Sequence, residues 1–301
     1  MNLNSETGHL NPTPPFDFDR SLDFLGDFKA TQHEQRLSPH SLTKAVGITG
    51  QPIVFQLMAT GTIEEPQLEY TLFSGRPIPE TIKHAAIDRM TFFLSLNDDL
   101  RPFYSIGLND PSFAPIIQRL YGYHQVKFLT PFEIACWAVL TQRNPLSLAQ
   151  KTKQKLVENF GGRLEVHRTV YWAFPEPAQL ATIDPKELAT VIGNERRAEY
   201  LSAIALAFHS VDEQFLRTAN YDEVEAWLRK IKGIGEWSAS YILLRGLGRM
   251  ERVPITEKRL FEAASKVYGQ GAVMTGEAMQ GIADRYGSCQ GYWAHYLRVG
   301  T

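Results

Sequence analysis

The chain has 301 residues, of which 44% are hydrophobic and 21% charged, and its formal net charge is −2. That composition supplies ample apolar material for one large domain or two to three smaller ones. The near-neutral charge argues against a protein that coats nucleic acid through bulk positive charge, but local contact with phosphate needs only a basic patch.

In chain order, the first residues are polar and rich in Asn, Thr and Pro, so residues 1–14 are expected to form a loose tail with no signal-peptide pattern. Residues from Pro14 to Gly75 read as sheet. The best strands are Pro52–Thr60 and Gln67–Phe73, the second alternating with period two before Ser74-Gly75. Pro79 opens a helix through Ile82, Ala85, Ala86, Met90 and Phe93, and Asn97-Asp98-Asp99 breaks it. From there the chain reads as nearly all helix.

Thr130-Pro131-Phe132-Glu133 has the pattern of a capping box at the start of a long helix that ends or kinks at Pro145. Within it Ile134–Leu140 is the longest sort of apolar run present, far short of the roughly 20 residues that span a bilayer. An amphipathic helix follows Ser147 and closes at Gly161-Gly162. Short helices are expected around Ala178–Leu180 and Pro185–Val191, then longer ones over Asn194–Phe208 and Val224–Lys230. The cysteines, Cys136 and Cys289, have no metal-ligand spacing and suit a reducing compartment.

The most informative segment is residues 228–242, Leu228 through Lys232-Gly233-Ile234-Gly235-Glu236-Trp237-Ser238-Ala239 to Ile242. One helix ends at Ile231 and the next begins near Glu236, with a tight Gly-Ile-Gly turn between. Glycines permit close approach of a phosphate, and the first amides of the second helix point outward as an anion site requires. Ile234 can anchor the turn inward, and Ser238 can add a hydroxyl donor. A dinucleotide-binding loop is disfavoured, because no strand precedes the turn and Ser238 holds the third glycine position. An ordinary helix-to-helix turn is the plainer reading. The surroundings favour the anion site: eight Lys/Arg and three Glu lie between Leu228 and Leu260, among them Arg229, Lys230, Lys232, Arg245 and Arg249.

With this hairpin in place, the sequence resembles the helix-hairpin-helix base-excision glycosylases, and within them the bacterial 3-methyladenine DNA glycosylase II group. Other segments that carry the likeness, in order, are Pro15–Phe18, Asp98–Tyr104, Leu129–Glu133 with Ala138–Gln142, Phe174–Leu180 and Arg196–Leu201. The resemblance implies an α+β fold: an N-terminal antiparallel sheet with helices over residues 15–110, then a mostly helical two-lobed core over residues 111–301. It allows that part of the N-terminal region packs into the second lobe. It implies a monomer that binds double-stranded DNA holding a damaged base, away from any membrane, in the cytoplasm or another intracellular setting. No organic cofactor is implied; a sodium or potassium ion is, held by the carbonyls of Arg229, Ile231 and Ile234. DNA contacts would come from Lys232, Gly233, Ile234, Gly235, Ser238, Ala239 and Arg245.

A glycosylase must extrude a base into an apolar, aromatic slot. The resemblance implies Gln142, Trp172 and Trp237 for that slot, with Trp137 and Tyr241 as further members. Trp237 stands where relatives that also cut the strand carry a nucleophilic lysine, and tryptophan forms no Schiff base, so a lyase step is not expected. The family's essential aspartate falls at Thr256, which cannot supply negative charge. Glu257 and Glu236 are the replacement candidates, although a first-turn glutamate that suits the helix dipole is the plainer role for Glu257. Glu133 is a weaker one. The expected function is hydrolysis of the N-glycosidic bond of alkylated purines in DNA repair. The alternatives are a catalytically silent damage-binding protein of the same fold and a glycosylase with a relocated carboxylate.

Overall fold

The computed structural model describes residues 3–255, 257–269 and 272–301. Among the described residues seven strands form two sheets: β1 Asn4–Leu10, β2 Gln35–Ser38, β3 Ser41–Ile48, β4 Gln51–Ala59, β5 Leu68–Ser74, β6 Gly162–Val166 and β7 Thr169–Ala173. The first five lie antiparallel in the order β1-β5-β4-β3-β2, and β6-β7 is a separate hairpin. The helices are α1 Phe18–Asp27, α2 Glu80–Phe93, α3 Arg101–Leu108, α4 Ala114–Arg119, α5 Pro131–Thr141, α6 Leu146–Phe160, α7 Pro177–Ala181 and α8 Pro185–Ile192. They continue with α9 Glu195–Ser210, α10 Glu213–Thr218, α11 Tyr221–Arg229, α12 Glu236–Tyr241, α13 Lys258–Tyr268, α14 Gly276–Ala283 and α15 Gln290–Gly300. Helix α12 runs on as a π-helix over Ile242–Leu247, so one turn widens within the element that follows the hairpin.

The expected α+β architecture is present, with three local corrections. The polar N-terminus is not a loose tail over Asn4–Leu10, because β1 pairs along its length with β5, from Asn4 opposite Ser74 to Leu10 opposite Leu68. Its composition misleads because an edge strand needs little apolar surface, and only Leu10 of it is buried. Within the stretch read as sheet, Phe18–Asp27 is helix, with the Asp17 carboxylate accepting from the Arg20 amide as N-cap. Within the stretch read as helix, β6-β7 packs Leu164, Val166 and Ala173 over Ala45, Val54 and Phe73 on the outer face of the sheet.

The division into residues 15–110 and 111–301 also gives way. One core joins the inner face of the sheet and α2–α4 to Leu244, Met250, Leu260, Met279, Trp293 and Tyr296 from the end of the chain. The second core is built from α5–α12, including Phe132, Trp137, Leu201, Leu228, Ile234 and Leu243. The two lobes are therefore an N-plus-C lobe and a middle lobe. The chain passes between them near Phe128 and again at the π-helix, where the Phe128 amide donates to the Arg245 carbonyl oxygen.

At the start of α5, Thr130 caps the Glu133 amide as expected, but the Glu133 carboxylate does not return the bond. It is buried and binds Lys153 Nζ at 2.6 Å, while Lys153 also meets Glu34 at 2.6 Å. Burial alone raises the Glu34 carboxyl, but Lys153 and Lys44 outweigh it and hold Glu34 below the usual carboxylate range.

Candidate nucleic-acid interface and base pocket

Helices α11 and α12 meet at the glycine turn with Ile231 and Ile234 buried beneath it. Gly233 has φ 96°, and a Cβ there would lie 2.6 Å from Cγ of Tyr200, so both conformation and space require glycine. Gly235 differs. It is the N-cap of α12 with extended backbone, and nothing lies within 4 Å of the position its Cβ would take. Open space before the amides of Glu236, Trp237 and Ser238 is what close approach of an anion requires. The Ala239 amide is not part of that set, since it donates to the Gly235 carbonyl.

A groove of about 830 Å³ runs in front of the turn, lined by Gln142, Arg143, Arg196, Arg197, Tyr200, Gly235, Glu236 and Trp237. Three guanidinium groups thus face the hairpin from outside the segment that drew attention in the sequence. Lys232 is exposed and paired with Glu199 at 2.7 Å. Arg229 is exposed. Two expected DNA contacts change character. Ser238 is buried and its hydroxyl oxygen accepts from the Gln142 amide at 3.2 Å, so only its backbone N–H faces outward. Arg245 is 3% exposed and lies behind the hairpin, because the π-helix carries it inward.

Of the three carbonyls implied to hold an alkali cation, that of Ile231 accepts the Ile234 amide at 3.0 Å. Those of Arg229 and Ile234 accept no hydrogen bond among the described residues. Free carbonyl oxygens suit a hard monovalent cation, and the donor set fits one.

Beside the hairpin, Trp237 is 47% exposed and stacks on Tyr241 at 5.3 Å with 10° between the rings. Trp137 is buried against the Tyr241 hydroxyl. Burial pushes that hydroxyl up in pKa, and the charges of Arg245, Arg298 and Glu257 all reach it. Trp237, Tyr241 and Trp137 thus form one aromatic cluster beside the groove. Gln142 belongs at its edge, tied to the hairpin. Trp172 does not belong to it: on β7 it lines a separate cavity of about 100 Å³ with Lys44, Glu133 and Glu176.

Thr256 lies outside the described residues. Glu257 is the N-cap of α13 and not a first-turn residue, and its carboxylate pairs with Arg298 at 3.0 Å instead of capping the helix. Glu236 is exposed in the groove. Glu133 is committed to Lys153.

Sequence reasoning missed four residues that hold Arg245 and Glu257 in place. Phe24 on α1 and Phe28 just after it present half-buried rings to Arg245, with guanidinium-to-centroid distances of 5.0 and 5.3 Å. His295 and Arg298 come from α15. The only local signal was the Phe24–Phe28 spacing of one helical turn, which also fits plain core packing.

A family model described as HhH-GPD superfamily base excision DNA repair protein matches residues 136–285, the span from the middle of α5 through the hairpin to just past α14. The chain is 27% identical over 285 residues to the DNA-3-methyladenine glycosylase of Bacillus subtilis, covering 94% of this chain and 93% of that one. It is 30% identical over 115 residues to DNA-3-methyladenine glycosylase 2 of Escherichia coli, covering 38% of this chain and 40% of the other. Among solved structures, the 3-methyladenine DNA-glycosylase of Archaeoglobus fulgidus superposes with a TM-score of 0.79 at 19% identity, over 97% of both chains. The 8-oxoguanine glycosylase/lyase of Clostridium acetobutylicum, bound to double-stranded DNA, gives 0.68 at 17% identity, over 99% of this chain and 96% of that one. Hairpin, lobes and matched span agree: the chain belongs to the HhH-GPD superfamily of base excision DNA repair proteins.

Proposed function

We propose that this chain is a monofunctional DNA glycosylase, acting as a monomer on double-stranded DNA and hydrolysing the N-glycosidic bond of an altered purine of the alkylated class. The observation that carries the reading is the Trp237–Tyr241 stack, half open to solvent and directly beyond the Gly235 turn. The hairpin amides and the groove arginines hold the phosphates, which fixes register without reading sequence. An alkali cation on the carbonyls of Arg229, Ile231 and Ile234 would add positive charge at the same place. Flipping then brings the base against the aromatic stack.

In the reaction the bond from C1′ to the base nitrogen breaks, the base leaving with the bonding electrons, the sugar passes through a cationic state, and a water oxygen bonds to C1′ while its proton passes to the departing base or to solvent. A carboxylate close to that sugar lowers the barrier by charge. Glu257 is the carboxylate whose charge reaches Tyr241, and Arg298 holds it in place. Trp237 supplies no amine, so the product keeps an unbroken strand with an abasic site. A damage-binding protein without chemistry is the second reading, favoured by the neutral Thr256 and by the ion pair that offsets the Glu257 charge.

Single-turnover assays on duplexes with a methylated purine, scoring free base and abasic sites, test the proposal. Glu257→Gln should lower release by about 100-fold or more while leaving DNA affinity unchanged. Tight binding of wild-type protein with no base released supports the silent binder.

A further inference from the structure

Charge at the DNA-facing hairpin is mixed. Arg143, Arg196 and Arg197 line the groove, and Lys232 stands on the hairpin itself. Two carboxylates oppose them. That of Glu199 holds Lys232 Nζ at 2.7 Å, the two side chains being 54% and 63% exposed. Glu236, the first residue of α12, is exposed in the same groove, beside the amides that face an incoming phosphate. Among the described residues it has no counterpart of the Lys232–Glu199 pair. Neither carboxylate does much for the fold: so exposed an ion pair stabilises it little, and a first-turn glutamate adds only a weak helix-dipole contribution. Both charges act instead on what approaches the hairpin. A phosphate that takes Lys232 must displace Glu199, and a phosphate that reaches the α12 amides must sit beside Glu236.

We propose that Glu199 and Glu236 form an electrostatic brake on the hairpin, weakening its grip on the phosphates of any duplex so that the protein leaves undamaged DNA, and its own abasic product, quickly. This rests on the glycosylase reading above and adds its release step. Phosphate contacts carry no damage information, so the brake lowers affinity for every duplex alike. A base flipped against the Trp237–Tyr241 stack adds affinity that the brake does not touch, and damaged DNA stays held where undamaged DNA slips. Counterions give the arrangement a signature. A lysine without a partner releases a condensed cation from DNA when it takes a phosphate. Lys232 exchanges a carboxylate for the phosphate, so the freed Glu199 takes up the cation that the DNA loses. Glu236 likewise keeps a cation at the phosphate beside it.

Binding to an undamaged duplex, titrated with potassium chloride, tests this. Glu199→Gln should bind about three- to tenfold more tightly than wild type at low salt, with a salt slope steeper by about one cation, because Lys232 no longer has a carboxylate to exchange. Glu236→Gln should tighten binding and steepen the slope in the same direction. Lys232→Gln in the Glu199→Gln background should return the slope to its wild-type value, which a general loosening of the hairpin would not do. On a duplex with a methylated purine, Glu199→Gln should lower the multiple-turnover rate relative to the single-turnover rate on pre-bound DNA, since the abasic product leaves later. Unchanged affinity and slope in either variant, or weaker binding, overturn the inference. An unchanged ratio of the two rates overturns its product-release half. A Glu236→Gln protein that binds as wild type does but releases no base marks Glu236 as the carboxylate of the reaction and also overturns it. Release of no base by wild-type protein overturns the glycosylase reading alone, and the two binding titrations then decide the brake.

Discussion

The side-chain amide of Gln142, at the C-terminal end of α5, donates to the Gly233 carbonyl oxygen at 2.8 Å and so fastens the DNA-facing turn to the centre of the middle lobe. The same nitrogen reaches the Ser238 hydroxyl, and Arg197 Nη2 donates to the Gln142 carbonyl oxygen at 3.0 Å. Gln142→Ala should therefore loosen the hairpin more than the base pocket. The expected loss is about 1–3 kcal/mol of stability, because the Gly233 carbonyl and Ser238 lose their partner. DNA affinity should fall on damaged and undamaged duplexes alike, which parallel melting and binding curves would show.

The two glycines of the turn should part company under substitution. Gly233→Ala meets both a positive φ and the Tyr200 ring, so it should lower the melting temperature and distort the turn. Gly235→Ala has room, so the protein should fold normally and lose affinity only because a methyl group now stands where a phosphate approaches. A salt titration of binding reads this as weaker affinity across all sequences. Unchanged affinity in Gly235→Ala would place the DNA backbone elsewhere.

Restoring a carboxylate at position 256 should speed chemistry. Thr256→Asp is expected to raise the single-turnover rate by one to three powers of ten, equivalent to about 1.4–4 kcal/mol of transition-state stabilisation. Arg298→Met, in contrast, should free the Glu257 carboxylate from its partner, altering its position and the rate without altering binding to undamaged DNA. Rates on pre-bound DNA keep the two effects apart.

Acid should weaken the Lys153 cluster before it weakens the hairpin. The Glu34 carboxyl is held below its ordinary value in the folded chain, so its contribution is fully present above about 4.5, the unfolded value. It is lost as pH falls from there through the lowered folded value. Lys153→Met should flatten that part of the stability profile. At neutral pH it should cost about 3–5 kcal/mol by leaving Glu133 buried and unpaired. Denaturant midpoints measured from pH 7 to pH 3 give both numbers.

The hairpin was legible because its signal is local: Gly-Ile-Gly between two helices needs no distant partner to be read. The basic residues around it were read less well, since a count along the chain cannot tell a solvated guanidinium from a buried one. Lys232 and Arg245 looked alike, yet one is exposed and paired and the other lies sealed under Phe24 and Phe28. Gln142 was placed in the right neighbourhood with the wrong task, because its partners, Gly233 and Ser238, are set by tertiary packing. Trp172 was misplaced because the β6-β7 hairpin that carries it alternates over only five residues a strand. His295 and Arg298 could not be found at all, since only the return of α15 to the first lobe brings them to Arg245 and Glu257.

That return has a consequence for how the chain is made. Apart from Ala30, the buried apolar positions of the middle-lobe core all lie between Phe128 and Leu247, so that core is complete as soon as this stretch has left the ribosome. The first lobe emerges earlier in part but must wait, because Trp293, Tyr296 and Leu297 of the final helix, which packs on α3, α4 and α13, complete the core it shares with the sheet. A nascent chain halted after residue 247 would carry a finished hairpin beside a first lobe in which α3 and α4 still lack the cover of the final helix. Deleting the last dozen residues should strand the protein in that condition, prone to self-association through the uncovered face, while the DNA-facing turn keeps its shape.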